Sequence, residues 1–584
     1  MLGGNLVTTG TEMVVNRREA HQGAGLRHKA EDVEVEGRHR LGVEEQRHRA
    51  ADGMIAKDAL GFHLVQHSQR GFHRARLCPN QIGRATAAFG MNLRHNIFLF
   101  ALLCVLCGQS PAATRPPNIL LILADDLGYA QLRCQGAKDI PTPHLDSLAR
   151  NSVRCTAGYV TASFCTPSRA GLLTGRNQTR FGHELNVVGR QNLDPAIGLP
   201  LTEKTLADHL KARGYATGCI GKWHLGATEA FHPQRRGFDE FFGFLHEGHF
   251  FVPGPPWTGV TTWLRTNALP PAAGTRLTQG DMTFSAHLKT SEPRYDDHNP
   301  ILRGTQPVTE REYLTDAFAR ESVAFIGRHR AEPFFLYLAF NAPQSPMQAP
   351  PKYLARFAHI PDLHRRLFAA MVSAMVSAMD DALDTVLAKL REEKLEEQTL
   401  IVFLSDNGGP TAELTSSNAP FSGGKGSLLE GGLRVPFLVQ WRGQLPAVKT
   451  FARPLTALAL APTFLAAAGS SRREEAPSQR GTRSTERENE SQSLLTSAAT
   501  ARLEGLKLRP HLGGESPPPA RPVFWRMSRQ AAARDGDLKL LRTGDQPWQL
   551  FNLATDPAEQ TNLAAAWPSG TSKTSRRFGA CRRA

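Results

Sequence analysis

The sequence is short of the features that mark several large protein classes. Its eight cysteines in 584 residues follow no regular framework, which argues against a disulfide scaffold. The apolar run Ile97–Cys107 is too short to span a bilayer comfortably, so no integral membrane span is expected. No continuous Lys/Arg run interleaved with aromatics marks a nucleic-acid groove, and no nucleic-acid partner is expected despite the formal net charge of +15. More than half of that excess falls in two end segments: residues 1–90 contribute about +3 and the last fourteen residues about +5. There is no zinc-type histidine cluster and no internal repeat.

What is present describes an ordinary large globular chain. Hydrophobic residues make up 41% and charged residues 21%, ample for a sizeable core. Residues 91–113 have the layout of a secretory signal peptide: a basic start at Arg94 and His95, an apolar centre, then small residues at Ser110–Ala113. A lipid anchor at Cys107 is a weaker reading, because Leu106 is large where a small residue is wanted. A signal peptide works near an N-terminus, so residues 1–90 read as a start assigned too early, or as unstructured. The expected location is secreted or periplasmic.

From residue 114 the texture changes. Apolar runs at 117–124, 216–220, 333–340, 399–404 and 435–440 read as buried strands. Helical spacing at 145–152, 206–213 and 363–390, and a helix starting at 169–173, fill the intervals. Alternating strands and helices predict an α/β fold with a large mixed, mostly parallel sheet flanked by helices. The catalytic domain is expected over 114–469, a linker or insertion over 470–520, a small C-terminal α+β subdomain over 521–570, and a disordered tail over 571–584.

Polar clusters follow two of these strands. Asp125 and Asp126 come directly after the first, and Asp406 and Asn407 after the run ending at Leu404. Adjacent acids repel unless a cation lies between them. An all-oxygen donor set suits Ca²⁺, and Mg²⁺ less well. Active sites of such sheets gather at the carboxyl ends of the strands.

The most specific motif is Cys165-Thr-Pro-Ser-Arg169-Ala-Gly-Leu-Leu-Thr-Gly175-Arg176. Here the chain resembles the formylglycine-dependent sulfatase family of the alkaline phosphatase superfamily. The resemblance spans roughly residues 116–565 and takes in Gly221-Lys-Trp-His-Leu-Gly226, Gly237-Phe-Asp-Glu-Phe-Phe-Gly243, Ser405–Gly409 and Gly424-Lys-Gly. Arg180-Phe-Gly-His-Glu184 is similar to the arylsulfatase A and N-acetylgalactosamine-6-sulfatase branch. The resemblance implies an alkaline phosphatase-like sulfatase fold and hydrolysis of sulfate monoesters, on a sulfated carbohydrate or an aryl sulfate. It implies that a maturation enzyme oxidises Cys165 to formylglycine (3-oxoalanine). Asp125, Asp126, Asp406 and Asn407, with the modified Cys165, match the family's Ca²⁺ ligands. Arg169 matches the residue that steadies the formylglycine. Lys222, His224 and Lys425 match sulfate-pocket residues, and His249 falls where relatives place a substrate-contacting histidine. Asp239 and Glu240 are expected to be structural.

Two positions depart from the family pattern. Gln344 stands where relatives carry a histidine that binds sulfate and is a candidate proton donor; a glutamine donates a hydrogen bond but delivers no proton. Ala459 stands where relatives often carry Asp. Two other readings therefore stay open: a phosphate or phosphonate ester hydrolase of the same superfamily, and a non-catalytic binder of sulfated glycans.

Overall fold

The computed structural model describes residues 115–252, 257–263, 276–279, 282–288, 298–357, 359, 363–410, 416–469 and 503–566. The expectations for 1–113, for 470–502 and for the tail at 571–584 lie outside the described residues. Among the described residues no helix is long and apolar enough to cross a membrane.

A ten-stranded sheet organises the chain. Its strands are β1 (Asn118–Ala124), β2 (Val153–Cys155), β3 (Ala216–Lys222), β4 (Glu240–Phe244), β5 (Leu302–Arg303), β6 (Gln306–Pro307), β7 (Phe334–Ala339), β8 (Thr399–Ser405), β9 (Phe437–Gln440) and β10 (Lys449–Phe451). The spatial order is β6-β5-β4-β3-β7-β1-β8-β9-β2-β10. The central run from β4 to β8 is parallel, whereas β9 runs antiparallel to both β8 and β2.

Strand β1 is Asn-Ile-Leu-Leu-Ile-Leu-Ala, buried throughout. Such continuous burial is what a parallel strand covered on both faces requires. Leu120 and Ile122 face one core, with Phe318 and Phe325 of α4 (Leu314–Arg328) and Met375 and Leu383 of α5 (Leu363–Glu392). Ile119, Leu121 and Leu123 face the other, with Leu172 of α2 (Cys165–Thr174), Leu206 of α3 (Leu206–Lys211) and Phe464 of α6 (Leu460–Gly469). The period of two sorts them without exception.

The helix α1 (Pro143–Arg150) starts two residues earlier than its apolar spacing indicates, with Pro143 in its first turn. Thr142 makes no side-chain cap; Asp380, from α5, accepts from the backbone N–H of Leu145 at 2.6 Å and of His144 at 3.1 Å instead. Helix α2 begins at Cys165, not near Arg169 as expected. Pro167 lies in its first turn, where a missing N–H costs nothing. Residues 503–513 carry the short helix α7 (Arg509–Gly513), and Leu508 and Leu512 join the second core.

The C-terminal part adds a four-stranded antiparallel sheet: β11 (Val523–Met527), β12 (Gln530–Asp535), β13 (Leu538–Thr543) and β14 (Gln549–Asn552). Trp525, Met527, Leu541 and Phe551 pack on Tyr159, Leu428 and Leu433 of the larger part. The same junction buries an ionic group. Lys539 lies 2.9 Å from both Glu430 and Glu559, and Tyr159 donates to Glu430 at 2.5 Å. Buried charges persist only when paired in this way.

Candidate active site

The site is built where β1 and β8 end side by side, with Ala124 paired to Ser405. The next residues are Asp125 and Asp406, so the register alone brings two carboxylates from distant sequence together. Asp406 N–H donates to the Ala124 carbonyl at 3.0 Å, and Asp126 N–H to Asp406 Oδ1 at 3.2 Å. Asp126 adopts a left-handed φ of 63°. Its side chain is held by Asn407 Nδ2, which donates to Oδ1 at 2.6 Å. Ser405 Oγ ties the two turns, accepting from Leu127 N–H at 3.0 Å and donating to the Asn407 carbonyl at 2.8 Å.

Helix α2 delivers the thiol. Cys165 Sγ donates to Asp125 Oδ1 at 3.3 Å and lies 3.9 Å from Asp126 Oδ1. One ligand atom each from Asp125, Asp126, Cys165 and Asp406 lies within 4.8 Å of the others, all buried. Arg169 is one helical turn beyond Cys165 and therefore on the same face. Its Nε donates to Asp406 Oδ2 at 3.0 Å, Nη2 lies 3.5 Å from Asp125 Oδ1, and Nη1 donates to the Lys222 carbonyl at 3.0 Å. Gly171 in the motif has a steric reason: a Cβ there would lie 2.3 Å from Thr161 Oγ1. Gly175 ends the helix at φ 64°.

Two lysines complete the cluster. Lys222, at the end of β3, donates from Nζ to Asp125 Oδ2 at 2.6 Å and to Gln344 Oε1 at 3.0 Å. Lys425 donates to Asp126 Oδ2 at 2.7 Å, and its side chain, 17% exposed, reaches toward solvent. Gln344 Nε2 lies 4.0 Å from Cys165 Sγ. His224, at φ 58°, places Nε2 2.6 Å from the Val187 carbonyl and 2.9 Å from Thr166 Oγ1. Its Nδ1 is buried without a partner among the described residues. The His249 ring lies against Phe244, and its Nδ1 lies 2.9 Å from the Phe250 carbonyl. Asp239 bonds Thr217, and Glu240 pairs with Arg328 and His329, both in structural contacts.

The electrostatics are those of a desolvated, tightly paired group. Burial pushes the Asp125 carboxyl up to about 7, against the pull of Lys222. Burial opposes ionisation of Asp406 as well, but Arg169 and Lys222 outweigh it and hold that carboxyl below its usual value. Burial and then Asp125 push the Cys165 thiol well up, which leaves it a poor nucleophile as a thiol. Burial and then Lys222 hold His224 well below the ordinary histidine value, so its imidazole is neutral.

A hard cation fits this donor set. Three carboxylates converge, and the Oδ1 of Asn407 is buried beside them with no partner among the described residues. Three acids are balanced by Lys222, Lys425 and Arg169, so an added divalent cation would leave net positive charge for an anionic ester. Sequence reasoning did not find Thr166 and Val187, which fix His224, nor Gln530, whose side chain bonds the backbone of Gly426 and Leu428 just after Lys425. Thr166 lies inside the Cys165 motif without a role assigned from it, and no local motif marks Val187 or Gln530.

Comparison with known proteins agrees with this geometry. The Sulfatase family profile matches residues 117–470. The steryl-sulfatase of Mus musculus is 37% identical over 402 residues, 61% of this chain and 62% of that protein, so the chain spans just under two thirds of that relative. Arylsulfatase A of Homo sapiens is 35% identical over 368 residues, 61% of this chain and 65% of that protein. A solved structure, Ps i-CgsB in complex with k-i-k-neocarrahexaose, is 33% identical with a TM-score of 0.62, covering 77% of this chain and 89% of its own. With the family profile lying across both acidic strand ends, the Cys165 helix and both lysines, the chain belongs to the sulfatase family.

Proposed function

We propose that this protein hydrolyses sulfate monoesters, most naturally those of a sulfated carbohydrate, with Cys165 matured to formylglycine and with Ca²⁺ held by Asp125, Asp126, Asp406 and Asn407. The observation that carries the reading is the convergence of Asp125, Asp126, Cys165 and Asp406 within 4.8 Å. When present, the formylglycine and the cation supply a regenerable oxygen nucleophile and a fixed positive charge.

The remaining work falls to side chains of this chain. Lys222 and Lys425 offer ammonium groups to the sulfate oxygens from two sides, neutralising charge that would repel a nucleophile. Arg169 spans Asp125 and Asp406 and so fixes the residue at 165 by holding both strand ends. His224 has its Nε2–H committed to the Val187 carbonyl, which leaves Nδ1 as the basic nitrogen able to take a proton. Gln344 orients through Lys222 and can donate from Nε2 to the leaving oxygen.

The carbohydrate assignment is supported by the oligosaccharide bound to Ps i-CgsB. Export is supported by the signal-like segment at 91–113. Mass analysis of the Cys165 peptide, with hydrolysis of an aryl sulfate beside an aryl phosphate, tests the proposal. An unmodified cysteine in active protein would defeat it. Gln344 favours one second reading, a sulfated-glycan binder without turnover; glycan binding without sulfate release, from protein carrying formylglycine, would select that reading.

A further inference from the structure

A second charged cavity lies outside the active site, along the β2–β10 edge of the main sheet. It has a volume of about 310 Å³ and is bounded by Arg133, Arg150, Arg154 and Lys449, with Asp146 the one acid on its wall. Four separate elements supply it: the turn after β1, the C-terminal end of α1, β2, and the edge strand β10.

The four cations lack the carboxylate partners that many of the described arginines have. Arg169, Arg303, Arg320 and Arg534 each meet at least one carboxylate. Among the described residues none of Arg133, Arg150, Arg154 and Lys449 forms an ion pair. Asp146 is already engaged, accepting from Cys134 N–H at 2.8 Å. Arg154 donates to the Cys134 carbonyl, and Lys449 donates to the Leu512 carbonyl at 2.9 Å. Those bonds fix two half-buried cations in place without neutralising either. Arg133 and Arg150 are exposed beside them. Like charges gathered around one concavity repel, and an anion in it removes that cost. Guanidinium groups suit a tetrahedral oxyanion, which accepts two parallel N–H bonds.

We propose that this cavity is an exosite for a sulfate group of a polysulfated glycan, so that one chain is gripped here while another of its esters is presented elsewhere. The oxyanion chemistry stands on the cavity alone; the choice of sulfate over phosphate rests on the sulfatase reading of the active site. Two weak sites on one polymer gain through effective concentration, which a monosulfated ester cannot exploit.

The experiment uses the full chain and the double variant Arg133→Glu, Arg150→Glu, both of whose residues are exposed and away from the catalytic cluster. Titration calorimetry with a size-defined polysulfated oligosaccharide reads binding, and hydrolysis of a small aryl sulfate reads the active site. The expected result is binding weakened about tenfold or more, with a shallower salt dependence, while kcat/KM on the aryl sulfate stays within about twofold. The single variant Lys449→Gln, expected to weaken glycan binding by a smaller factor, guards against a folding failure of the double variant. Unchanged glycan binding in both would overturn the proposal. Equal competition by inorganic polyphosphate would overturn the assignment to sulfate. Loss of aryl sulfate hydrolysis in the unaltered protein would instead count against the active-site reading and leave the binding comparison intact.

Discussion

Gln530, in the first position of β12, donates from Nε2 to the Gly426 carbonyl at 2.9 Å. Its Oε1 accepts from Leu428 N–H at 3.2 Å, so one side chain bridges the backbone on the far side of Lys425. Gly426 N–H in turn donates to the Ser163 carbonyl at 2.8 Å, two residues before Cys165. The C-terminal sheet thereby holds the lysine loop against the segment that enters α2. Gln530→Ala should lower kcat about ten- to a hundredfold, the scale of an ångström-sized misplacement of a catalytic group. Gln530→Glu keeps the bond to Leu428 and loses the one to Gly426, and should fall between. A change confined to thermal stability, with kcat and KM both intact, would remove Gln530 from the role of positioning Lys425.

The proposed cation site gives a readout that does not depend on turnover. On the proposed reading, three buried carboxylates and an amide oxygen unpartnered among the described residues make folded protein the better ligand than the unfolded chain. Ca²⁺ at a hundredfold excess over its Kd should add about 2.7 kcal/mol to the unfolding free energy. Mg²⁺ should add less, since it tolerates this mixed geometry less readily. Asn407→Ala should shrink the calcium shift severalfold. Denaturant melts with and without Ca²⁺ decide the matter, and identical midpoints would exclude the site.

Much of this site was legible in sequence because each half is local. Asp125-Asp126 and Asp406-Asn407 are next to the apolar runs that become β1 and β8, and the C-x-x-x-R spacing places Cys165 and Arg169 on one helical face. The direction of β9 was not legible, since a buried strand carries the same apolar pattern in either sense. The helix α2 starts four residues before the expected 169, because the first turn of a helix accepts Pro167. Gln530 could not be found from its neighbours, because its partners lie 102 and 104 residues away.

On the proposed reading, Gln344 stands where a proton donor would serve the leaving group, and a glutamine supplies no proton. It accepts from Lys222 at 3.0 Å and turns its amide toward position 165. Aryl sulfates release a phenolate, which leaves without much protonation; alkyl and sugar sulfates release an alkoxide, which does not. The unaltered protein should therefore show a steep dependence of rate on leaving-group acidity. Gln344→His should flatten that dependence, raising the rate on alkyl sulfates by up to about a hundredfold, the lower end for a general acid. Aryl sulfates should change little. Parallel slopes for the two proteins across a leaving-group series would mean that the proton comes from elsewhere.

His183 gives a pH dependence separate from the catalytic cluster. It is 8% exposed, and its Nε2 has no partner among the described residues. Burial is the main cause that lowers its pKa to about 4, from an ordinary 6.5. Between those values the unfolded chain holds the proton and the folded chain does not. Stability from this group is therefore complete above about pH 6.5 and is lost as pH falls toward 4. The full window is worth up to about 3 kcal/mol. Urea melts of unaltered protein and His183→Gln, at pH 7, 5.5 and 4.5 with Ca²⁺ held constant, isolate it, since other titrations cancel in the difference. The variant should show the shallower loss on acidification, and a difference that stays constant from pH 7 to 4.5 would show that His183 does not carry it.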